Sequence, residues 1–254
     1  MRSFYLESIP KTIWILWIQG WEAAPKVVLM CARSWKRQNP TWLVRSLSKE
    51  NLGEFVDLPR THPGIKGKAL PQTALADIVR IALLKKHGGV WVDATLYCNR
   101  PLDHWIYEVL PSGFFAFDRP AHDRMVASFF LAAKPGHYIV KTWDQLNKEY
   151  WLLRESRNDY FWSHYLFRQA YEKDPCFKHL WDVTPKISAE GANYFVPYHK
   201  LPNSLSPEDK MVIDSAAYPV FKLTHKWKWW LGKEADELGI RNDSVLAYLQ
   251  SRAS

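Results

Sequence analysis

Apolar residues return along the chain with two periods, and their alternation predicts the fold. Residues 12–18, TIWILWI, form an unbroken apolar run between Pro10 and Gly20, short enough for a buried strand. Pro25 opens KVVLMCARSWKRQ, in which Val28, Ala32 and Trp35 recur at helical spacing, the last turn is basic and Pro40 lies beyond. TWLVRSL, 41–47, reads as a second strand, and a short segment around NLGEFVDLP ends at Pro59. The polar stretch PRTHPGIKGKALP, 59–71, reads as a loop carrying Lys66 and Lys68, of a kind that is often functional or mobile. The clearest helix follows in TALADIVRIALLKKHGG, 73–89, with Leu75, Ile78, Val79, Ala82 and Leu83 on one face, cations in the last turn and glycine at the stop. Its double glycine leads straight into VWVDATLYC, 90–98, which reads as one strand. Further on, SGFFAFD (112–118) and VASFFLAAK (126–134) read as strands, and 137–154 and 159–173 as helices. Between 175 and 220 prolines are frequent and no period shows; YPVFKLTHKWKWW, 218–230, reads as a strand entering a basic aromatic loop, and SVLAYLQSRAS as a terminal amphipathic helix. Strands separated by long helices predict an α/β sheet covered on both faces. No repeat or linker interrupts the pattern, so a single domain over 1–254 is expected.

One carboxylate stands out from this pattern. Along 90–98, Val90, Val92, Ala94 and Leu96 share one face, while Trp91, Asp93, Thr95 and Tyr97 share the other. An ionised carboxylate buried without a partner is costly, so Asp93 must be neutralised, bonded to a cation or open to a cleft. Ligands of open α/β sheets gather outside the carboxyl ends of the strands, and Asp93 follows the apolar part of its strand. It is either a cleft carboxylate for a ligand hydroxyl or hard metal ion, or a strand-end Asp accepting backbone hydrogen bonds. Asp77 and Arg80, spaced i and i+3, lie on the other side of their helix from Leu75 and Ile78. Ile81 and Leu84 share that side, so the pair is expected to be covered rather than solvated.

Composition narrows the classes. A chain of 254 residues that is 47% hydrophobic can bury one large core. Its 14 Trp, 12 Tyr and 12 Phe suit stacking on sugars or nucleobases and equally suit plain packing. A formal charge of +8 fits nucleic acid, anionic lipid or a phosphorylated substrate and does not choose among them. Cys31, Cys98 and Cys176 are widely spaced without a CxxC pair and read as reduced packing residues. The opening MRSFYLESIPKTIWILWIQGW is interrupted by Glu7, Pro10, Lys11 and Gln19, which argues against a signal peptide. No stretch approaches the ~20 apolar residues that span a bilayer, so a soluble, cytoplasmic protein is expected.

The order IPKTIWILWIQG, CARSWKRQNP, ALADIVRIALLKKHGGVWVDATLY and PLDHW resembles the capsular polysaccharide synthesis proteins. These are related to glycosyltransferases with a DXD sugar-binding region, including fungal α-mannosyltransferases and the glucosylating domains of large clostridial toxins. The likeness covers roughly the first 135 residues, with weaker echoes in YFWSHYLF and KLTHKW. It implies a GT-A type fold: a single Rossmann-like domain with a mixed sheet flanked by helices. Residues 1–135 would bind the nucleotide sugar, and 136–254 would supply the acceptor side and the basic aromatic segment. It also implies transfer of a sugar from a nucleoside diphosphate sugar to a glycan or lipid-linked acceptor, with retention and with Mn²⁺ or Mg²⁺. Nucleic acid is not among the implied partners; a peripheral membrane contact is.

Carried over by position, the resemblance has Trp17 stack on the donor's base beside Ile18, with Trp14 the better core residue. Asp77 and Arg80 would hold the donor sugar and its phosphates, since a carboxylate accepts from hydroxyls and a guanidinium forks onto phosphate oxygens. Asp93 would be the first Asp of the DXD motif, touching ribose and metal, and these three residues form the expected catalytic set. The second Asp is replaced by Thr95. The metal is then held by Asp93, water and diphosphate with Thr95 outside them, or is replaced by the cations His225, Lys226 and Lys228 of KLTHKWKWW. Asp159, Tyr160 and His164 are expected on the acceptor side, and a base for an inverting reaction would come from Asp118, Asp123 or Asp159. Two rival classes fit less well. A nucleotidyltransferase would carry a glycine- and lysine-rich phosphate loop near the first strand, which this chain lacks. A non-catalytic nucleotide- or glycan-binding module would not need Asp77, Arg80 and Asp93 together.

Overall fold

The computed structural model describes residues 9–232 and 241–253, so residues 1–8 of the opening segment and Ser254 of the terminal helix lie outside the described residues. The elements run β1 (Thr12–Leu16), α1 (Lys26–Gln38), β2 (Leu43–Leu47), the single turns α2 (Leu52–Phe55) and α3 (Leu58–Thr61), α4 (Gln72–His87), β3 (Gly89–Asp93) and β4 (Leu96–Cys98). They continue with β5 (Phe114–Ala121), β6 (Arg124–Ala133), α5 (Tyr138–Leu152), α6 (Trp162–Lys173), α7 (Pro175–Asp182), α8 (Pro207–Asp214), β7 (Val220–Lys222), α9 (Trp227–Leu231) and α10 (Val245–Ala253).

Five strands form a mixed sheet in the order β2-β1-β3-β6-β5, the first three parallel and the last two antiparallel. Period-two alternation splits the core between its faces. Ile13, Ile15, Val90 and Val92 pack with Val28 and Trp35 of α1, whereas Trp14, Leu16 and Trp91 pack with Ile78, Val79 and Leu83 of α4 and Trp143 of α5. Register pairs Leu16 with Leu47 on one side and with Asp93 on the other, so the parallel strands end together at one edge. Among the described residues, no helix is long and apolar enough to cross a membrane.

Four readings from the sequence need correction. The run 90–98 is two strands: the chain turns at Ala94–Thr95, and β4 leaves the main sheet to pair with β7, Leu96 opposite Lys222. Residues 59–71 are not a free loop. They hold α3 and a 3₁₀ turn, Pro63–Ile65, tied down where His62 Nε2 meets the buried Asp144 carboxylate at 3.0 Å and Lys68 Nζ donates to the Trp151 carbonyl at 2.8 Å. The proline-rich stretch 175–220 contains α7 and α8, each with proline in its first turn and a side-chain cap, Asp174 and Ser206. Cys176 is exposed, unlike Cys31 and Cys98.

The two glycines between α4 and β3 answer to geometry. Gly88 and Gly89 have φ of +65° and +90°, and a Cβ on Gly89 would stand 2.5 Å from the Thr12 carbonyl oxygen of the neighbouring strand. Gly89→Ala is expected to cost about 2 to 3 kcal/mol in urea unfolding, whereas Gly20→Ala, at φ +96° in open space, costs about 1 kcal/mol. Equal losses would show that the close approach to Thr12 does not matter.

Candidate functional site

The common edge of β1 and β3 opens into a cavity of about 480 Å³. Trp17 and Ile18, directly after β1, form part of its wall, Asp93 comes from the end of β3, and the first turns of α4 contribute Thr73, Ala76, Asp77 and Arg80. Thr95, Arg124, Phe129, Tyr160, His164, Tyr198, Lys222, His225 and Lys226 complete the groups that matter chemically. A second cavity of about 330 Å³ between α5 and α6 shares no lining residue with it.

Arg80 is the hub of the cluster. It is 5% exposed, and its donors are engaged: Nη1 to the Ser128 carbonyl at 2.7 Å, Nη2 to Asp77 at 3.2 Å and to Asp93 at 3.5 Å, Nε to the Ala76 carbonyl at 3.2 Å. Its plane also lies 5.4 Å from the Trp91 ring centroid. The guanidinium therefore braces two carboxylates while itself lining the cavity. Ile81 and Leu84 are buried beside it, so α4 is covered on both sides, as the sequence implied.

Asp93 takes Trp91 Nε1 on Oδ1 at 3.1 Å and Lys222 Nζ on Oδ2 at 2.7 Å. The same ammonium reaches the Thr95 hydroxyl at 3.1 Å. Burial alone would raise the Asp93 carboxyl, but Lys222 and Arg80 outweigh it and hold it at about 2. Asp77 goes the other way. Burial raises it to about 6, with the Asp93 charge adding to the shift and Arg80 opposing it. Two neighbouring carboxylates are thus driven apart in acidity, a pattern typical of sites that do chemistry.

The remaining expected residues sort by position. Trp17 faces the cavity with His225 edge-on at 5.0 Å, whereas Trp14 is buried and donates to the Gly88 carbonyl at 2.9 Å. His225 is on the wall, but burial, with Lys226 and Lys222 close by, lowers it to about 4. Burial thus works against the positive charge that the sequence-based expectation gives this imidazole. Lys226 is exposed on the wall, and Lys228 lies off it. Tyr160 and His164 line the cavity, His164 lowered to about 3 by burial and by Arg80 and Arg124. Asp159 does not line it: it is exposed and accepts the Phe161 amide at 2.6 Å, closing the turn before α6. Asp118 and Asp123 are also off the wall, bonded to Arg119 at 3.0 Å and to the Tyr165 hydroxyl at 3.2 Å.

Among the wall residues not singled out from the sequence are Lys222, Arg124, Phe129 and Tyr198. Tyr198 is held at φ +74°, a left-handed backbone that is rare for a bulky residue and often found at sites. Arg124 lies over the Phe161 ring at 3.6 Å from its centroid.

The divalent ion implied by the resemblance can be tested against these donors, and they do not fit it. Mg²⁺ and Mn²⁺ seek several oxygen ligands. Here one carboxylate is present at the motif, both of its oxygens already face cations, and the Thr95 hydroxyl accepts from Lys222. Among the described residues no cluster of three His, Cys, Asp or Glu side chains is placed to hold a metal.

Fold and site together define an α/β protein with a cavity open at the carboxyl edge of a mixed sheet. A sequence profile of the capsular polysaccharide synthesis proteins matches residues 2–236, and the chain belongs to that family. Among curated proteins it is similar to O-glycosyltransferase braB of Annulohypoxylon truncatum, 26% identical over 196 residues, covering 70% of this chain and 44% of the relative. It is likewise 26% identical over 165 residues to glycosyltransferase afumC of Aspergillus fumigatus, covering 57% and 41%. It is 27% identical over 183 residues to O-glycosyltransferase PaGT of Phomopsis amygdali, covering 67% and 43%. The chain spans less than half the length of these relatives. Among solved structures it is similar to PaToxG Glycosyltransferase, with 15% identity, a TM-score of 0.45, and coverage of 81% of this chain and 83% of that one.

Proposed function

We propose that the chain is a glycosyltransferase of GT-A type, moving a glycosyl group from a nucleoside diphosphate sugar to a hydroxyl of a glycan or lipid-linked acceptor in polysaccharide biosynthesis. The observation that carries this reading is the meeting in one cavity of an aromatic plane, a carboxylate pair of split acidity and an excess of cations. Arg80, Arg124, Lys222 and Lys226 face it against Asp77 and Asp93. Trp17 stacks on the base, Asp77 accepts from sugar hydroxyls, and the cationic wall receives the diphosphate, where charge grows as the glycosidic bond breaks. Residues before 135 supply Trp17, Asp77 and Asp93 on the donor side; of the later ones, Tyr160 and His164 belong to the acceptor side and Lys222, from the basic aromatic segment, to the donor phosphates. Retention is favoured because Asp118, Asp123 and Asp159 lie off the wall and the two wall carboxylates are already paired with cations. The setting is cytoplasmic, with peripheral contact at a membrane through the 82% exposed Trp229 beside Lys228.

A panel of nucleoside diphosphate sugars tests the reading. The matching donor at about 100 times its Kd adds about 2.7 kcal/mol of stability, a rise of a few degrees in Tm. Trp17→Ala is expected to weaken that donor by about 10-fold or more through lost stacking. A panel in which no donor shifts the melting of wild type overturns the transferase assignment.

A further inference from the structure

Lys222 reaches Asp93 across 129 positions of sequence, and its placement is fixed by more than its own ion pair. It sits on β7 opposite Leu96, its amide donates to the Ala192 carbonyl at 2.7 Å, and the next amide, of Leu223, donates to the Thr95 carbonyl at 2.8 Å. The backbone that carries Thr95 and the backbone that carries Lys222 are therefore clamped together. The Lys222 side chain is 21% exposed and lines the cavity, with Nζ 5.8 Å from the Phe129 ring centroid. An ammonium has three N–H donors. Among the described residues two acceptors, Asp93 and Thr95, take two of them, which leaves one for a ligand.

The charges close as well. Two carboxylates around a divalent ion are neutral; so are one carboxylate, one hydroxyl and one ammonium. Thr95 and Lys222 are complementary in charge: a carboxylate at 95 would leave the site negative with Lys222 alone, whereas the hydroxyl gives Lys222 a second, uncharged acceptor. We infer that Lys222 is the built-in cation of this site, performing without a metal the neutralisation of the donor diphosphate. This rests on the transferase reading above. In the step it serves, the bond between the sugar's anomeric carbon and the β-phosphate oxygen breaks, and its electron pair stays on that oxygen. The acceptor oxygen, or water in a hydrolysis assay, bonds the anomeric carbon and passes its proton to the departing phosphate. Lys222 donates a hydrogen bond to the diphosphate as its charge grows. Asp93 positions it, which accounts for a carboxylate whose partners among the described residues are two cations and an indole.

Calorimetric binding of UDP and of GDP, each in EDTA and in Mn²⁺, tests this apart from turnover. Wild type is expected to bind one of them in EDTA, with Mn²⁺ changing Kd less than about three-fold, and Lys222→Met to weaken binding about 30-fold. Hydrolysis of the matching donor sugar is expected to persist in EDTA and to fall about 100-fold in Lys222→Met. Thr95→Val, which keeps shape but removes one acceptor of the ammonium, gives a smaller loss of the same kind and serves if Lys222→Met does not fold. Binding that needs Mn²⁺ in wild type and is untouched by Lys222→Met overturns the role of Lys222 and leaves the transferase standing. Absence of binding and hydrolysis with either nucleotide, in EDTA and in Mn²⁺, overturns both.

Discussion

Arg80→Met is expected to remove about 3 to 5 kcal/mol of folding stability, a large fraction of what a domain of this kind has. The loss is electrostatic rather than a matter of volume, since methionine follows much of the same path. Without the guanidinium, the Ser128 carbonyl loses its 2.7 Å donor inside the protein, and Asp77 loses the cation 3.2 Å away while Asp93 keeps Lys222. A buried carboxylate left facing another is the costly state, more so than a pair replaced together. The double variant Arg80→Met, Asp77→Asn should therefore recover part of the loss. Arg80→Lys should not rescue it, because one ammonium at the end of a flexible stem cannot span Asp77, Asp93 and the Ser128 carbonyl as a planar fork does. Urea midpoints at neutral pH with unchanged slope measure this. A loss below about 1 kcal/mol for Arg80→Met would mean that water replaces the guanidinium and that the cluster is open rather than braced.

What could be read from the sequence was what depends on neighbours in the chain. β1, α1, β2 and α4 follow from local periodicity, and the burial of Asp77 and Arg80 followed from Ile81 and Leu84 sharing their side of α4. The break in 90–98 did not, because Leu96, Tyr97 and Cys98 are buried like the residues of β3; alternation reports burial but not which sheet supplies it. The helices α7 and α8 were marked by Asp174-Pro175 and Ser206-Pro207, signals of capping that the density of prolines obscured. In the site, Trp17 and Asp93 converge because β1 and β3 are parallel neighbours ending in register. Lys222 was invisible in a three-residue strand within a basic aromatic run, since nothing local couples it to Asp93. Nor could sequence show that the guanidinium of Arg80 braces Asp77, Asp93 and the Ser128 carbonyl, or that burial lowers the His225 imidazole; both depend on packing.

Asp77→Asn is expected to lower donor turnover by about 10²- to 10³-fold while making the folded protein more stable at neutral pH. Burial first, and then the charge of Asp93, raise the Asp77 carboxyl from 3.8 to about 6 against the opposing pull of Arg80. A folded value above the unfolded one means that the native state holds the proton more tightly. Between pH ~4 and ~6 stability therefore falls as pH rises, and above that window the ionised group costs the fold on the order of 3 kcal/mol. An amide in the same place carries no charge to bury, and Arg80 keeps Asp93 and the Ser128 carbonyl as partners. The variant should gain over wild type above pH ~6 and match it below pH ~4. Asp93 has the opposite sign. Held at about 2 by Lys222 and Arg80, its stabilising contribution is complete above its unfolded value of 3.8 and is lost only as pH falls through about 2, outside that window. Turnover gives the second readout: wild-type hydrolysis should climb with pH through about 6 as Asp77 ionises to accept from sugar hydroxyls, and the residual rate of Asp77→Asn should be flat there. A wild-type profile already flat across that range, with no gain in stability for Asn, would place the ionisation well below 6 and make the pairing with Arg80 stronger than the effect of burial.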